Sequence, residues 1–526
     1  MRYDGVMLRE KIEKLIKEIV KKEVHLEHPG NVEYGDYSTN IALQAKVDPD
    51  KIVNELKDNS FFEKVEKAGP GFINFTLSQK ALCQELAEIL KQGSDYGKLD
   101  LGENKKVQVE FISANPTGPL TVANARGGPF GDALANVLAK AGFDVEKAYY
   151  VNDYGMQILA LGHSVLKDKE AEYRGEYIDE LNKKIEEREP YKAGQLAAKY
   201  IVKDLIKKTT DKLGVKYNDW IFESDLHQSG RVDKTLDFLR EKGLIYQKQG
   251  AQWFKSSKFG DNRDRVVVKK DGWKTYLAAD ITLQQYKFKE KKIDKVINIW
   301  GADHHGNIPG LKAAVEALGY KNKLEIILLQ FVTILEKGEK QRMSKRAGIY
   351  VTMDELLDKV GVDAVRFFFL QKSADTHLNF DLDLAKEQSK KNPVYYIQYS
   401  YARICSIFRN EMFPVITENT KDRDILKIPE SMISKEFYHP LALDLIRQLI
   451  KFPEIIEDTA QDYQVQRLPH YSLELANAFH KFYEQCRVLD VENKELSKAR
   501  IALIQSAQIV LKNTLDLMGI RAPEKM

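Results

Sequence analysis

The stretch "KVQVEFISANPTGPLTVANARGGPFGDALANVLAKAGFDVEKAYYVND", residues 106–153, changes its period twice. "KVQVEFI" alternates apolar and polar residues, the pattern of a half-buried strand. Pro116, Gly118 and Pro119 interrupt it and let the backbone turn tightly. "GDALANVLAKAGF" then places its apolar residues at helical spacing, and "EKAYYVND" returns to a strand. A strand, a Pro/Gly loop, a helix and a second strand make a β-loop-α-β unit, the start of a parallel, doubly wound sheet. In open sheets of this kind ligands lie beyond the carboxyl ends of the strands, where a helix N-terminus favours anions. The loop is therefore a candidate phosphate site. An ordinary βα turn without a ligand accounts for its composition equally well.

Toward the N-terminus, "REKIEKLIKEIVKKEV" and "LSQKALCQELAEILKQG" have helical periodicity. Between them "EYGDYSTNIALQAKV" and the alternating "AGPGFINFTL" read as strands, with a turn at Gly69-Pro70-Gly71. Residues 1–95 are thus expected to form a small α/β domain, followed by the polar linker "GSDYGKLDLGENKK". A central α/β domain is expected over 96–385. Its charged span of about 155–265 reads as mostly helical and inserted between the two halves of the sheet. "DKVINIWGADHHGN" is a strand running into a loop, and "LEIILLQFVTIL" (324–335) reads as one buried strand. From 386 to 526 the chain reads as all helix, with aromatic stripes such as "YYIQYSYARICSIFRN".

A chain of 526 residues exceeds what one core supports, so several domains are expected. Apolar content of 43% with 30% charged residues fits a water-soluble globular chain, and a net charge of +3 points to no class of partner. Cys83, Cys405 and Cys486 form no C-x-x-C pair and read as reduced core thiols. The charged amphipathic N-terminus is unlike a secretory leader, and the most apolar stretch carries Glu325 and Gln330. A cytoplasmic location without membrane contact is expected.

Two further segments could carry chemistry. In "EKGEKQRMSKRAG", Lys340, Arg342, Lys345 and Arg346 surround Met343 and Ser344. Several cations on a loop can close over a polyphosphate and stabilise charge during its transfer, or form a solvated basic loop. Asp303-His304-His305-Gly306 at a strand end suggests a metal phosphohydrolase or, more readily, contacts to ribose and substrate; adjacent residues do not easily all face one ion.

Taken together, the Pro/Gly loop and the later "MSK" loop resemble the H-I-G-H and K-M-S-K-S motifs of class I aminoacyl-tRNA synthetases. The chain is identified more narrowly as similar to the arginyl-tRNA synthetases over nearly its whole length. "GDYSTNIAL" and "AGPGFINF" match that family's extra N-terminal domain. "VEFISANPTGPL", "YYVNDYG", "WGADHHG", "RMSKRAG" and "NPVYYIQYSYARI" match its catalytic core and the junction beyond. "HPLALDLIRQL" and "LDLMGIRAPEKM" match its helical anticodon-binding domain.

The resemblance implies a Rossmann-like class I core and a two-step reaction. Arginine reacts with ATP to give arginyl-adenylate and pyrophosphate, and the arginyl group then passes to the 3′ end of tRNA(Arg), with AMP released. It implies that Glu110, Tyr276 and Asp280 hold arginine, with Asn115 at its amino-acid end and His304 nearby. A guanidinium calls for carboxylates in fixed geometry, so lysine and citrulline should be rejected. Pro116, Gly118, Thr121, Ala123, Asn124, Asp303, Met343, Ser344 and Lys345 fall at ATP-binding positions. Lys345, assisted by Arg342, Thr121 and Asn124, is expected to act on the phosphates. Asn152, Asp153 and Gln157 lie in the matching "YVND" segment without an assigned role. Mg²⁺ is expected to arrive with ATP and the chain to act as a monomer. The N-terminal domain is expected to bind the tRNA elbow and the C-terminal helices the anticodon, with Arg403, Arg447 and Arg487 as candidate phosphate contacts.

The departure is Thr121-Val122-Ala123-Asn124 in place of H-x-G-H. Tryptophanyl-tRNA synthetases similarly use T-x-G-N. Threonine and asparagine keep hydrogen-bonding capacity and lose the imidazolium charge. The methyl of Ala123 stands where glycine leaves room for adenine. A non-catalytic RNA-binding relative is the competing reading of this stretch.

Overall fold

The computed structural model describes residues 7–340, 351–417, 437 and 439–526. Five parallel strands form the central sheet: β1 (Lys106–Glu110), β2 (Asp144–Val151), β3 (Asp219–Phe222), β4 (Lys295–Gly301) and β5 (Leu324–Leu329). Their spatial order is β5-β4-β1-β2-β3. The chain winds outward from β1 to β3, then returns to the other side of β1 for β4 and β5. The crevice at the carboxyl ends of β1 and β4 is therefore the topological switch point. Glu110, the last residue of β1, lies opposite Asn298 of β4 and Ala148 of β2.

Helix α1 (Gly127–Lys140) covers the sheet and is buried through most of its length. Gly131 is what lets it approach: a Cβ there would lie 2.2 Å from the Phe111 ring. Helices α2 (Met156–Leu166) and α3 (Pro190–Tyr200) cross between β2 and β3. Their backbones touch at two glycines, since a Cβ on Gly162 would stand 1.7 Å from the Pro190 carbonyl oxygen and one on Gly194 1.9 Å from that of Ile158.

The span 155–265 is mostly helical, as expected, but it also supplies strands. It contains β3, an edge strand of the central sheet. It also contains two strands, Ile245–Lys248 and Ala251–Phe254, of a separate antiparallel sheet completed by Arg265–Val268. The continuous strand expected over 324–335 is two strands. β5 ends at Leu329, and Val332–Glu336 pairs instead with Leu378–Asp381. The break at Gln330 has a cause: the buried Arg126 guanidinium donates to the Gln330 carbonyl, while the Gln330 N–H donates to Ala374 O at 2.8 Å.

The N-terminal unit packs helices Leu8–Val20 and Gln79–Gln92 with a three-stranded sheet, and Gly69-Pro70-Gly71 is the turn between two of its strands. In "EYGDYSTNIALQAKV" only Tyr37–Thr39 is a strand; Ile41–Ala45 is helical. This unit docks on the C-terminal helices. The Tyr37 hydroxyl donates to the buried Glu454 at 2.6 Å, His28 Nε2 approaches the same carboxylate at 2.8 Å, and Arg9 lies 3.7 Å from it. Arg447, a candidate phosphate contact, is spent here: its Nε donates to Asp36 at 2.7 Å. All three cysteines are buried. Among the described residues no helix is long and apolar enough to cross a membrane.

Candidate active site

The site begins where β1 ends. Ile112 and Ser113 have φ of +66° and +40°, a left-handed backbone that a β-branched residue rarely adopts. Three tyrosines hold this strained loop. Tyr217 donates to Phe111 O at 3.0 Å, Tyr149 to Ala114 O at 2.9 Å and Tyr177 to Thr117 O at 2.9 Å. Gly127 leaves room, since a Cβ there would stand 3.3 Å from the Ile112 nitrogen. Asn115 is left exposed at the crest of the loop, while Pro116 is buried beneath it.

Four elements converge on the switch point. Glu110 is buried there. Glu223 opens helix α4 (Glu223–Gln228) and is buried too. Asp280 lies one turn after Tyr276 on helix α5 (Tyr276–Gln285), so the two share a face, with Tyr276 exposed at the mouth. Tyr150, near the end of β2, is buried with its hydroxyl against Glu223.

Charge is unevenly met among these groups. Lys287 donates to Glu110 at 2.5 Å. Asp280 forms no hydrogen bond or ion pair with a described residue. Burial and the neighbouring Glu223 and Glu110 push its carboxyl up to about 8, with Lys287 acting the other way. The same surroundings hold the Tyr150 phenol neutral, burial first and the carboxylates after it. A cluster with more carboxylates than cations suits a cationic, hydrogen-bonding ligand.

Sequence reasoning found Glu110, Tyr276 and Asp280, and the structure brings Glu110 and Asp280 together. It missed Glu223, Tyr150 and Lys287. It left Asp153 without a role. Asp153 is buried and accepts the Ser224 N–H at 2.8 Å and the Ser224 hydroxyl at 2.7 Å, which fixes the start of α4 and hence Glu223. His227, on the same face of α4, lies 3.6 Å from Glu223 and stacks on Tyr154.

The Thr121–Asn124 stretch is ordered as a helix start. Thr121 Oγ1 accepts the Asn124 N–H at 3.4 Å, and its own hydroxyl donates to Asn124 Oδ1 at 2.7 Å. The buried Thr121 thus orients Asn124. Ala123 is exposed, its methyl outside the core. The segment after the basic loop is stitched to this stretch: the Val122 N–H donates to Val351 O at 3.2 Å, and the Met353 N–H to Leu120 O at 2.8 Å. A capping box on Thr352 and Glu355 then starts helix α6 (Met353–Val360). Arg342, Met343, Ser344, Lys345 and Arg346 lie outside the described residues. Asp303 and His304 are exposed past the end of β4, 3.8 Å apart. Among the described residues no group of three or more His, Cys, Asp or Glu gathers as a metal site.

Three stretches match family descriptions in chain order. Residues 6–77 match "Arginyl tRNA synthetase N terminal domain". Residues 85–193 and 168–376 match "tRNA synthetases class I (R), catalytic domain". Residues 397–526 match "DALR anticodon binding domain". The arginine–tRNA ligase of Anoxybacillus flavithermus is 43% identical over 99% of this chain and 99% of its own length. The chain belongs to the arginyl-tRNA synthetase family. The arginine–tRNA ligase of Bacillus subtilis is also 43% identical, over 96% of this chain and 94% of that protein. The Thermus thermophilus arginyl-tRNA synthetase shares the fold, with a TM-score of 0.78 over 99% of this chain and 100% of that one at 22% identity. As an arginyl-tRNA synthetase the chain is a class I aminoacyl-tRNA ligase, and its catalysis is ATP-dependent.

Proposed function

We propose that the switch-point cavity is where this ligase binds L-arginine, with Glu223 and Asp280 toward the guanidinium, Tyr276 closing the mouth and Glu110 and Asn115 at the amino-acid end. The observation that carries the reading is Asp280, an acid without a partner among the described residues, facing two other carboxylates. A guanidinium supplies the missing charge in a planar, two-pronged form that an ammonium does not reproduce.

ATP lies across the Pro116–Asn124 loop, with Thr121 orienting Asn124 and with Asp303 and His304 toward the ribose and adenylate. Mg²⁺ enters with it, as part of the substrate. A carboxylate oxygen of arginine attacks the α-phosphorus; the bond to the β-phosphate oxygen breaks and pyrophosphate leaves. A ribose hydroxyl of the tRNA 3′-terminal adenosine then attacks the arginyl carbonyl and AMP leaves. No covalent enzyme nucleophile is required, so positioning and charge stabilisation carry the rate. Lys345 and Arg342 contact the phosphates, and bonds join the Leu120–Val122 stretch to Val351–Met353, the segment that follows the basic loop. The N-terminal unit takes the tRNA elbow and the C-terminal helices the anticodon. The enzyme acts as a monomer in the cytoplasm.

Charging of tRNA(Arg) with arginine, lysine and citrulline in parallel tests this reading. Charging with arginine alone, and its loss in Lys345→Ala, is the expected result. Equal charging with lysine would overturn the assignment of the carboxylates.

A further inference from the structure

Lys287 is fully buried beside Glu110 at the switch point. After Gln285, helix α5 widens into a π-helical turn over Tyr286–Glu290, which re-aims the side chains it carries. From that turn Lys287 Nζ donates to Glu110 Oε2 at 2.5 Å and reaches Asn298 Oδ1 at 3.5 Å. Glu110 and Asn298 face each other in register on β1 and β4, so the lysine closes the switch point from beneath. A lysine serving only to fill space would not be chosen for such a place, because a buried ammonium is costly unless paired.

The pairing divides the cavity. Glu110 Oε2 is taken by Lys287, while among the described residues Oε1 receives only the long 3.3 Å bond from Ser113 Oγ. Glu223 and Asp280 form no ion pair with a lysine or arginine among the described residues. A carboxylate with one oxygen already engaged suits a compact ammonium at a single point; a planar guanidinium suits the carboxylates with no cation of their own.

We infer that Lys287 is a positioning residue for the substrate's α-ammonium. It holds Glu110 turned so that Oε1 receives that ammonium, and so reserves Glu223 and Asp280 for the guanidinium. The inference rests on the placement of arginine proposed above.

The test is arginine-dependent ATP–pyrophosphate exchange on the full chain with tRNA(Arg) present. The probe is 5-guanidinopentanoate, arginine without its α-amino group, used as a competitive inhibitor. Lys287→Met should raise the arginine KM by about ten-fold or more, as expected for loss of a charged hydrogen bond, while the ATP KM and the inhibition constant of the probe stay within about two-fold. Lys287→Gln, which removes the ammonium that pairs with Glu110, should give the same split if the methionine variant does not fold. Arginine and probe weakened by one common factor, an ATP KM that rises in step, or an unchanged arginine KM would overturn the inference. Asp280→Asn serves as the control. It should weaken arginine and probe alike, and if it weakens neither, the placement of arginine itself is wrong.

Discussion

In the proposed placement of arginine, Asp280 is an acid that the ligand has to deprotonate. Burial first, then Glu223 and Glu110, raise its carboxyl to about 8, so below that pH the empty cavity holds a proton. The guanidinium prefers the carboxylate, and binding expels the proton. Affinity therefore rises with pH up to about 8 and flattens above it. The arginine KM should fall up to about ten-fold per pH unit below that point, while the ATP KM does not follow. Initial rates from pH 6 to 9 check this; an arginine KM that is flat or rises with pH would sink it. Ala123 gives a second expectation. Its methyl is exposed at the proposed ATP loop, and over-packing against adenine there costs about 1–3 kcal/mol, so Ala123→Gly should tighten ATP by roughly five-fold or more. An unchanged ATP KM would show that adenine clears the methyl. At this scale the sequence offered Glu110, Tyr276 and Asp280 as candidates because they sit in recognisable strings. Glu223 was hidden because "IFESDLHQ" reads as any helix start, and Lys287 because "YKFKEKKIDK" reads as a solvated basic face. Burial, which distinguishes that lysine from its neighbours, is a tertiary property.

Elements depend on contacts that leave little trace in the sequence pattern. Helices α2 and α3 meet backbone to backbone at Gly162 and Gly194, which sets the wall of the crossover from β2 to β3. Gly194→Ala puts a methyl against the Ile158 carbonyl, where backbone cannot yield as a side chain would. Thermal unfolding should show a loss of about 3 kcal/mol or more, at the upper end of over-packing costs. A variant as stable as the wild type would mean that the helices can slide apart at no cost. The β-loop-α-β unit was legible because its periods are long and clean. The short strands within 219–268 were not: each has four residues, too few for period 2 to stand out from helix. The division of "LEIILLQFVTIL" was invisible for another reason. Gln330 leaves the sheet because Arg126, far away in sequence, takes its carbonyl.

The whole molecule is joined across its length through Glu454. That buried carboxylate gathers Tyr37, His28 and Arg9 of the N-terminal unit onto the C-terminal helices. Glu454→Gln removes the charge they share and should cost about 1–3 kcal/mol of docking, seen as faster proteolysis within the linker at residues 93–105. Cleavage at the wild-type rate would place the joint elsewhere. The same docking accounts for Arg447, which the sequence offered to RNA and the fold spends on Asp36. The central claim is that the switch-point carboxylates bind arginine for activation. Its most direct test is arginine-dependent ATP–pyrophosphate exchange by the wild type and Asp280→Asn, with and without tRNA(Arg). The account predicts exchange by the wild type that requires tRNA, and an arginine KM raised about ten- to hundred-fold by Asp280→Asn with the ATP KM held. A variant with the wild-type arginine KM would contradict it.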